Sequence, residues 1–517
     1  MVPLSRVVAG VPLALLSCTF LCACAENDAR FTAQLSLLSS PVGVGQKLML
    51  VERTSATAFL LDAQSADPAP LRVSVLPEPT RVVPRRAHGD QALVLSAGVS
   101  GDRNSTQAPG GLTLVRGDGS VSTFPIGNDP FDFVVQQPAG RYAALLRGWR
   151  STQLLQNANE MVLVDLESDS ADDAARLVTL PEAPRAVFFS EDFALDGRAL
   201  QLAVVLTDNT AAVFELERPE ALPVLIQLNA DPALPLFPQD VRFDPLNARF
   251  YIRSAGTDDI FSLRLVPRSV GADRSSFGVS IDIVAAGHLP SDMQLFELDG
   301  TNRLLVISPG SQSASIVDVA TSRTTAVRLP DAFDQALVYY MGDGGERLPH
   351  ALLWGEHSGA LATLALDAAS TVALDQGLTS LPGLPFGARE TVPFADGTVA
   401  FFGFAPNITL VDPVRGSVTP YNAAGFIADG FLDQQRALLW LAPSGQPRVA
   451  HLDLTTGGTD EMLLDDDVLT ATLIPDAQRM GVVHDDRIGH VTFINLDDPR
   501  RATSVGVRGF LFEGAFE

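Results

Sequence analysis

The chain has 517 residues, 46% of them hydrophobic, and a formal net charge of −25 with a sequence pI near 4.6. A chain of this length can bury a large core. So acidic a protein is repelled by phosphate backbones and anionic lipid surfaces, which argues against nucleic acid as a partner, and the charge itself favours solubility. All three cysteines lie within the first 24 residues, so the rest of the chain has no disulfide, thiolate metal site or cysteine nucleophile.

The amino-terminal segment has the pattern of a bacterial export signal. Arg6 supplies a positive charge, and residues 7–21 are almost entirely apolar. This stretch is shorter than a membrane-spanning helix requires, but it is long enough for a secretory signal. We therefore predict a signal peptide over residues 1–23, a polar tether over residues 24–30 and a folded domain over residues 31–517.

The end of this segment resembles a bacterial lipoprotein signal, in which a leucine and two small residues precede the cysteine that receives the lipid. Leu21, Ala23 and Cys24 fit that pattern, whereas Cys22 is an unusual occupant of its position. A rival frame ends at Cys18, and an ordinary secretory signal with incidental cysteines is the other alternative. The resemblance implies a lipid on Cys24 that anchors the protein in the cell envelope, at the outer membrane and facing the periplasm or the surface, without a spanning segment.

A short phrase recurs along the rest of the chain, consisting of apolar strand residues followed by a turn that usually begins with Asp, Glu or Asn. The clear copies are Phe59–Asp62, Val162–Asp165, Ile316–Asp318, Leu364–Asp367, Leu410–Asp412, His451–Asp453 and Phe493–Asn495. The weaker copies are Leu114–Arg116, Val213–Glu215 and Ser262–Arg264. Successive turns are separated by 41 residues (412 to 453) to 54 residues (62 to 116). A strand-based period of this size is typical of a β-propeller.

Each unit divides into four short strands separated by turn-forming clusters. In the unit around Asp318 the strands are predicted at residues 293–298, 303–307, 314–319 and 325–329. The first two strands of most units are apolar on successive residues, as expected for strands covered on both faces. The turn carboxylates can accept backbone N–H bonds, so we interpret them as structural. The predicted fold is all-β, a propeller of four-stranded blades with almost no helix.

One unit carries a more specific likeness. Residues 304–321 resemble the repeat of the YVTN family of β-propellers, in which an apolar strand, a turn of small polar residues and a Val/Ile strand lead to an Asp and a Thr. Ser308 stands where that family usually has Asn, and Leu304 where it often has Tyr. The resemblance implies a propeller fold and an extracytoplasmic setting, and it implies no particular reaction.

The number of units leaves the ring size open between seven and ten blades. Ten units exceed the four to eight blades of most propellers, so one large ring, two smaller rings, or a smaller ring with hairpins outside it are all compatible. Residues 509–517 alternate like a further strand and could complete the first blade, whose leading strand is weak around residues 35–38. Residues 104–111 and 268–277 are predicted to be extended loops.

The tightest cluster of polar groups that could carry chemistry is His484-Asp485-Asp486 with His490, beside the acidic turn at residues 465–467. A divalent cation could bind there, since carboxylates suit Ca²⁺. The alternative is a pair of solvated hairpin turns, which we favour.

A second acidic run, at residues 165–173, begins like a calcium-binding loop. It has Ser170 in place of the turn glycine and Arg176 in place of the final glutamate, so we interpret it as a solvated loop. The sequence contains no Gly-x-Ser-x-Gly nucleophile elbow and no phosphate-binding loop.

These observations favour a non-catalytic binding or scaffold module, with no cofactor or metal and with an envelope protein or glycan as its partner. The alternative is a propeller enzyme, a lactonase or other hydrolase with or without Ca²⁺, whose site lies at the channel mouth. Asp132, Asp240 and Glu390 on the leading strands are the residues to inspect for that function. Several carboxylates converging with a histidine would favour the enzyme, whereas a channel without such a site would favour the binding module.

Overall fold

Each repeat unit folds into one four-stranded antiparallel sheet, and a computed structural model places ten such sheets as the blades of one propeller ring. The structure describes residues 41–65, 69–100, 106–127, 131–148, 157–168, 171–229, 231, 234–268, 274–342, 347–356, 358–369, 377–384, 388–393, 398–403, 407–422, 427–433, 436–454, 456–486, 489–500 and 503–509. The predicted signal peptide and tether, and with them Cys18 and Cys24, lie outside the described residues.

The strands of the first five blades follow, each blade from its first strand to its fourth. Blade 1 contains Val42–Val44, Lys47–Glu52, Thr57–Asp62 and Leu71–Ser74. Blade 2 contains Pro79–Pro84, Gln91–Ser96, Gly110–Arg116 and Val121–Gly127. Blade 3 contains Phe133–Gln136, Tyr142–Leu146, Glu160–Asp165 and Ala175–Thr179. Blade 4 contains Ala186–Phe189, Leu202–Leu206, Thr210–Glu215 and Val224–Gln227. Blade 5 contains Pro238–Asp244, Arg249–Ser254, Asp259–Pro267 and Phe277–Ala285.

The other five blades have the same plan. Blade 6 contains Asp292–Leu298, Thr301–Ser308, Ser313–Asp318 and Arg323–Arg328. Blade 7 contains Gln335–Met341, Leu348–Trp354, Leu361–Ala365 and Leu378–Ser380. Blade 8 contains Ala388–Pro393, Val399–Gly403, Asn407–Asp412 and Ser417–Asn422. Blade 9 contains Ile427–Asp433, Leu438–Pro443, Arg448–Asp453 and Thr459–Leu463. Blade 10 contains Val468–Ile474, Arg479–His484, His490–Asn495 and Val505–Arg508.

Other regular elements are few and short. Two hairpins stand outside the blades, formed by Val99–Ser100 with Thr106–Ala108 and by Phe193–Leu195 with Arg198–Leu200. The helices of the described residues are Ala171–Ala174, Leu366–Ala369 and the 3₁₀ turns Pro245–Asn247, Pro309–Ser311 and Pro475–Ala477. None of the described helices is long and apolar enough to cross a membrane. The prediction of an all-β chain with almost no helix is confirmed.

The ring is a single one, and it closes between its last blade and its first. The first strands of neighbouring blades contact one another, so they surround the central channel. The first strand of blade 10, Val468–Ile474, contains the residues that touch Val42–Val44 of blade 1. Of the arrangements compatible with the sequence, one large ring is therefore the one observed, and it has ten blades.

Apolar side chains pack between the blades rather than in one central core. Ten clusters of buried residues are present in the described part of the chain, and each draws on two consecutive blades. At the closing joint, Leu48 and Phe59 of blade 1 pack with Ile474 and Phe493 of blade 10. This explains why the inner strands are apolar on successive residues, because both of their faces are covered.

The closing joint does not use a strand shared between the two chain ends. All four strands of the first sheet come from residues 42–74. Residues 35–38, and residues 510–517 of the predicted closing strand, lie outside the described residues. In the part of the chain that the structure describes, blade 1 and blade 10 are therefore joined by packing alone.

The turn carboxylates have the structural use that the sequence predicts. The Oδ1 atom of Asp62 accepts a hydrogen bond from the Gln64 N–H at 2.9 Å, and that of Asp318 accepts one from the Thr321 N–H at 2.9 Å. The Thr321 N–H also lowers the pKa of Asp318 by stabilising its charged form. Equivalent bonds are made by Asp165, Asp412, Asp453 and Asn495.

Candidate functional site

The carboxylates on the first strands hold neighbouring blades together. Asp292 of blade 6 accepts the Met293 N–H at its Oδ1 atom, 2.8 Å away, and the Ala336 N–H of blade 7 at its Oδ2 atom, also 2.8 Å away. Asp429 of blade 9 likewise accepts the Ala471 N–H of blade 10 at 2.9 Å. We call these two groups the first-strand staples, because each carboxylate joins the first strands of two blades.

Asp240, one of the residues selected from the sequence, lies on the first strand of blade 5 just after a β-bulge. Its carboxylate accepts hydrogen bonds from the Arg253 guanidinium, with Nε 3.2 Å from each oxygen. The Arg253 Nη1 atom also donates to the carbonyl of Pro290 at 2.9 Å, on the connection to blade 6. Burial raises the pKa of Asp240, and the charges of Arg253 and Arg242 oppose that rise.

The other two selected residues do not join Asp240 in a common site. Asp132, next to the first strand of blade 3, accepts the Gly148 N–H of its own blade. Glu390 lies in the first strand of blade 8, where its backbone pairs with Phe402, and its side chain is outside the described residues. Within the described part of the chain, the one group of three metal-ligating side chains lies at blade 10 instead.

That group surrounds two stacked histidines at one end of blade 10. His484 ends the second strand and His490 begins the third, and each is only 2% exposed. Their rings lie 4.1 Å apart between centroids, with 18° between planes. The interpretation of this region as two solvated hairpin turns is therefore wrong for the histidines, which are buried.

The hydrogen bonds of His484 define its protonation state. Its Nδ1 atom lies 2.9 Å from the carbonyl oxygen of Asp466, and its Nε2 atom lies 2.8 Å from the Thr492 hydroxyl. Because a carbonyl oxygen can only accept, Nδ1 carries the proton and the Thr492 hydroxyl donates to Nε2. Burial lowers the pKa of His484, and the neighbouring His490 lowers it further, so the ring is neutral.

His490 faces carboxylates that already have a cationic partner. Its Nδ1 atom lies 2.7 Å from Oδ2 of Asp466, and the Arg508 guanidinium lies 3.1 Å from the same oxygen. Ligand atoms of Asp466, Asp486 and His490 all lie within 4.8 Å of one another. The structure thus brings together the cluster selected from the sequence. A metal ion would have to compete with Arg508 for Asp466.

The buried His484 makes stability depend on pH. Its folded pKa lies below that of an exposed histidine, about 6.5, so the unfolded chain binds the proton first as the pH falls. The free energy of unfolding is expected to hold its full value above about pH 6.5 and to fall as the pH decreases below it. His350 and His451, whose pKa values burial also lowers, contribute in the same direction.

The variant His484→Gln is expected to make this pH dependence shallower, which urea unfolding at pH 7.5 and pH 5.5 would measure. The matched control is His288→Gln, because the His288 side chain is 59% exposed and bonds to the equally exposed Asp258. An unchanged difference between the two pH values in His484→Gln would contradict the assignment.

A cavity of about 210 Å³ opens between blades 3 and 4, on the face of the ring that carries the hairpins between third and fourth strands. It is lined by Tyr142, Leu163, Asp165, Ser168, Asp173, Ala174, Arg176, Phe214, Glu215, Leu216 and Pro219. The acidic run at residues 165–173 thus borders a cavity, a feature that sequence reasoning missed. The available signal was Glu215, which stands where most of the clear repeats have aspartate.

No protein-family model matches the sequence, and no curated protein matches it. Solved structures similar to the chain include the dihydro-heme d1 dehydrogenase NirN (13% identity, TM-score 0.41, covering 77% of this chain and 71% of that one). They also include a catalytically inactive virginiamycin B lyase from Staphylococcus aureus with quinupristin (11%, 0.36, 60% and 90%). A third is apo AztD from Citrobacter koseri (11%, 0.33, 69% and 92%).

Proposed function

We propose that this protein is an extracytoplasmic β-propeller lipoprotein of the bacterial envelope that acts as a non-catalytic binding or scaffold module. A lipid on Cys24 would hold it to the membrane, and its partner would be an envelope protein or a glycan. The anchor is supported by the lipoprotein-like pattern around Cys24 and by the extracytoplasmic setting that the YVTN-like repeat implies.

The observation that carries the binding role is the use of the channel carboxylates. Asp240, Asp292 and Asp429 spend their hydrogen-bonding capacity on a guanidinium or on backbone N–H groups. A catalytic carboxylate must instead be within reach of a substrate proton or carbon. These groups therefore support a channel that maintains the ring, and they favour a role for the loops and faces of the propeller in binding.

The anchor is tested by labelling cells that produce the protein with radioactive palmitate. The Cys24→Ala variant is expected to lose the label and to move from the membrane fraction to the soluble fraction. Cys18→Ala is the matched control and should keep both. Loss of label in Cys18→Ala alone would move the anchor to Cys18, and an unlabelled wild type would contradict the lipoprotein assignment.

The scaffold role is tested by crosslinking in the native envelope, followed by purification in detergent and mass spectrometry. One envelope protein or glycan is expected to copurify with the wild type and to be recovered again in the reciprocal purification. Failure of every candidate in the reciprocal step would contradict the scaffold role.

A propeller hydrolase is the second candidate, and one observation favours it. Asp466, Asp486 and His490 present ligand atoms within 4.8 Å of one another, so they could hold a divalent cation such as Ca²⁺ if Arg508 moved aside. Native mass spectrometry with and without EDTA, together with hydrolysis assays on lactones and esters, tests this function. A bound cation and an activity that are both lost in Asp486→Ala would favour the enzyme over the scaffold.

A further inference from the structure

The cavity between blades 3 and 4 is the open end of an interblade core. Leu163, Phe214 and Leu216 belong to the apolar cluster that joins these blades, and they form its inner wall. Tyr142, 5% exposed, belongs to the same cluster and adds an aromatic ring to the lining. The cavity of about 210 Å³ is smaller than the roughly 300–1,000 Å³ of sites for drug-sized ligands. Its occupant must therefore be small and partly apolar.

Glu215 is a buried carboxylate in the wall of this cavity. It is only 5% exposed, and it differs from the turn aspartates because it bonds to another blade. Its Oε2 atom accepts the Ser276 N–H at 2.8 Å, and its Oε1 atom accepts the Ser276 hydroxyl at 2.9 Å. It forms no ion pair with any residue that the structure describes. Each carboxylate oxygen has a further lone pair with which to accept a hydrogen bond.

The charges around the cavity leave one negative charge without a match. The lining contains three carboxylates, Asp165, Asp173 and Glu215, and one guanidinium, that of Arg176. Arg141, beside the cavity, pairs with Asp165 at 2.9 Å. Three negative and two positive charges give a balance of −1. Among the described contacts, the Arg176 guanidinium reaches the carbonyl of Ala221 at 3.5 Å rather than a carboxylate.

We propose that this cavity binds a small organic cation, an amine with an apolar body, with its ammonium group on Glu215. A buried carboxylate is stabilised by a cation that bonds directly to it. An ammonium group also gains from the faces of aromatic rings, here those of Tyr142 and Phe214. The leucine side chains would cover the apolar body of the ligand.

The inference extends the proposed binding role to a small ligand, and calorimetric titration of the full-length protein in detergent tests it. The probe is 2-phenylethylamine. Its neutral and anionic counterparts of similar size, 2-phenylethanol and 3-phenylpropanoate, serve as controls. Saturable binding of the amine at least tenfold tighter than that of either control is expected.

Two variants locate the site. Glu215→Gln removes the charge at nearly constant volume and should weaken amine binding at least tenfold. Ala174→Leu fills part of the cavity without changing a charge and should weaken the amine as well, provided that circular dichroism shows both variants folded. Asp318→Asn, at the corresponding turn of blade 6 and away from the cavity, should leave binding unchanged.

Several results would overturn the inference. They are no amine binding at millimolar concentration, equal binding of amine and alcohol, preference for the anion, or full amine affinity in folded Glu215→Gln. None of them bears on palmitate labelling or on reciprocal copurification. Failure of the cavity assignment is thus distinguishable from failure of the proposed scaffold role.

Discussion

Replacing Phe493 with alanine is expected to lower the free energy of unfolding by about 3–5 kcal/mol, the usual cost of truncating a buried phenylalanine. The Phe493 side chain is 0% exposed and packs with Leu48 and Phe59 across the joint between blades 10 and 1. That joint holds the two ends of the ring together by packing. A cavity there removes contacts that the described residues of the joint do not replace.

Urea unfolding followed by far-ultraviolet circular dichroism would measure the effect of Phe493→Ala. The control is Phe133→Ala, because Phe133 on blade 3 is 41% exposed. It should cost less than about 1 kcal/mol, as substitutions outside the core usually do. Equal shifts in the two variants would show that the closing joint contributes little to stability.

The second large effect is expected at a first-strand staple. Asp292→Ala removes the acceptor of the Met293 and Ala336 N–H groups and leaves these buried donors unsatisfied. The cost of an unsatisfied buried donor is about 1–3 kcal/mol, so the free energy of unfolding should fall by roughly 2–4 kcal/mol. Arg242, whose guanidinium lies 3.7 Å from Asp292, also loses a counter-charge.

The same urea experiment measures Asp292→Ala, with Asp282→Ala as its control. Asp282 lies exposed on the outer strand of blade 5 and is expected to be nearly neutral to replacement. Wild-type stability in Asp292→Ala would contradict the structural role of the staples, and it would remove the observation on which the binding role of the propeller rests.

The sequence predicts the local parts of this fold well, because they depend on residues close together in the chain. The strands of blade 6 and the bonding of Asp318 follow from apolar runs and from turn chemistry. The ring size does not follow, since a repeat counts units and does not say which of them meet. It required the contact between Val42–Val44 and Val468–Ile474.

The functional groups were less predictable because they depend on neighbours from other units. Polar residues on leading strands are visible in the sequence, but the bond from Asp292 to Ala336 joins two blades. The two histidines of blade 10 stood out in the sequence, yet their burial did not. Glu215 was seen as a weaker copy of a turn, since nothing local shows that it reaches Ser276 sixty-one residues away.

Because every blade is built from one uninterrupted stretch of chain and the ring closes by packing, the order of the blades in space is independent of where the chain begins. A gene rearranged to start between blades 4 and 5, with a short linker joining blade 10 to blade 1, encodes the same ten sheets and the same ten interfaces. The architecture is thus open to circular permutation, and to growth or shrinkage by whole-blade duplication or loss.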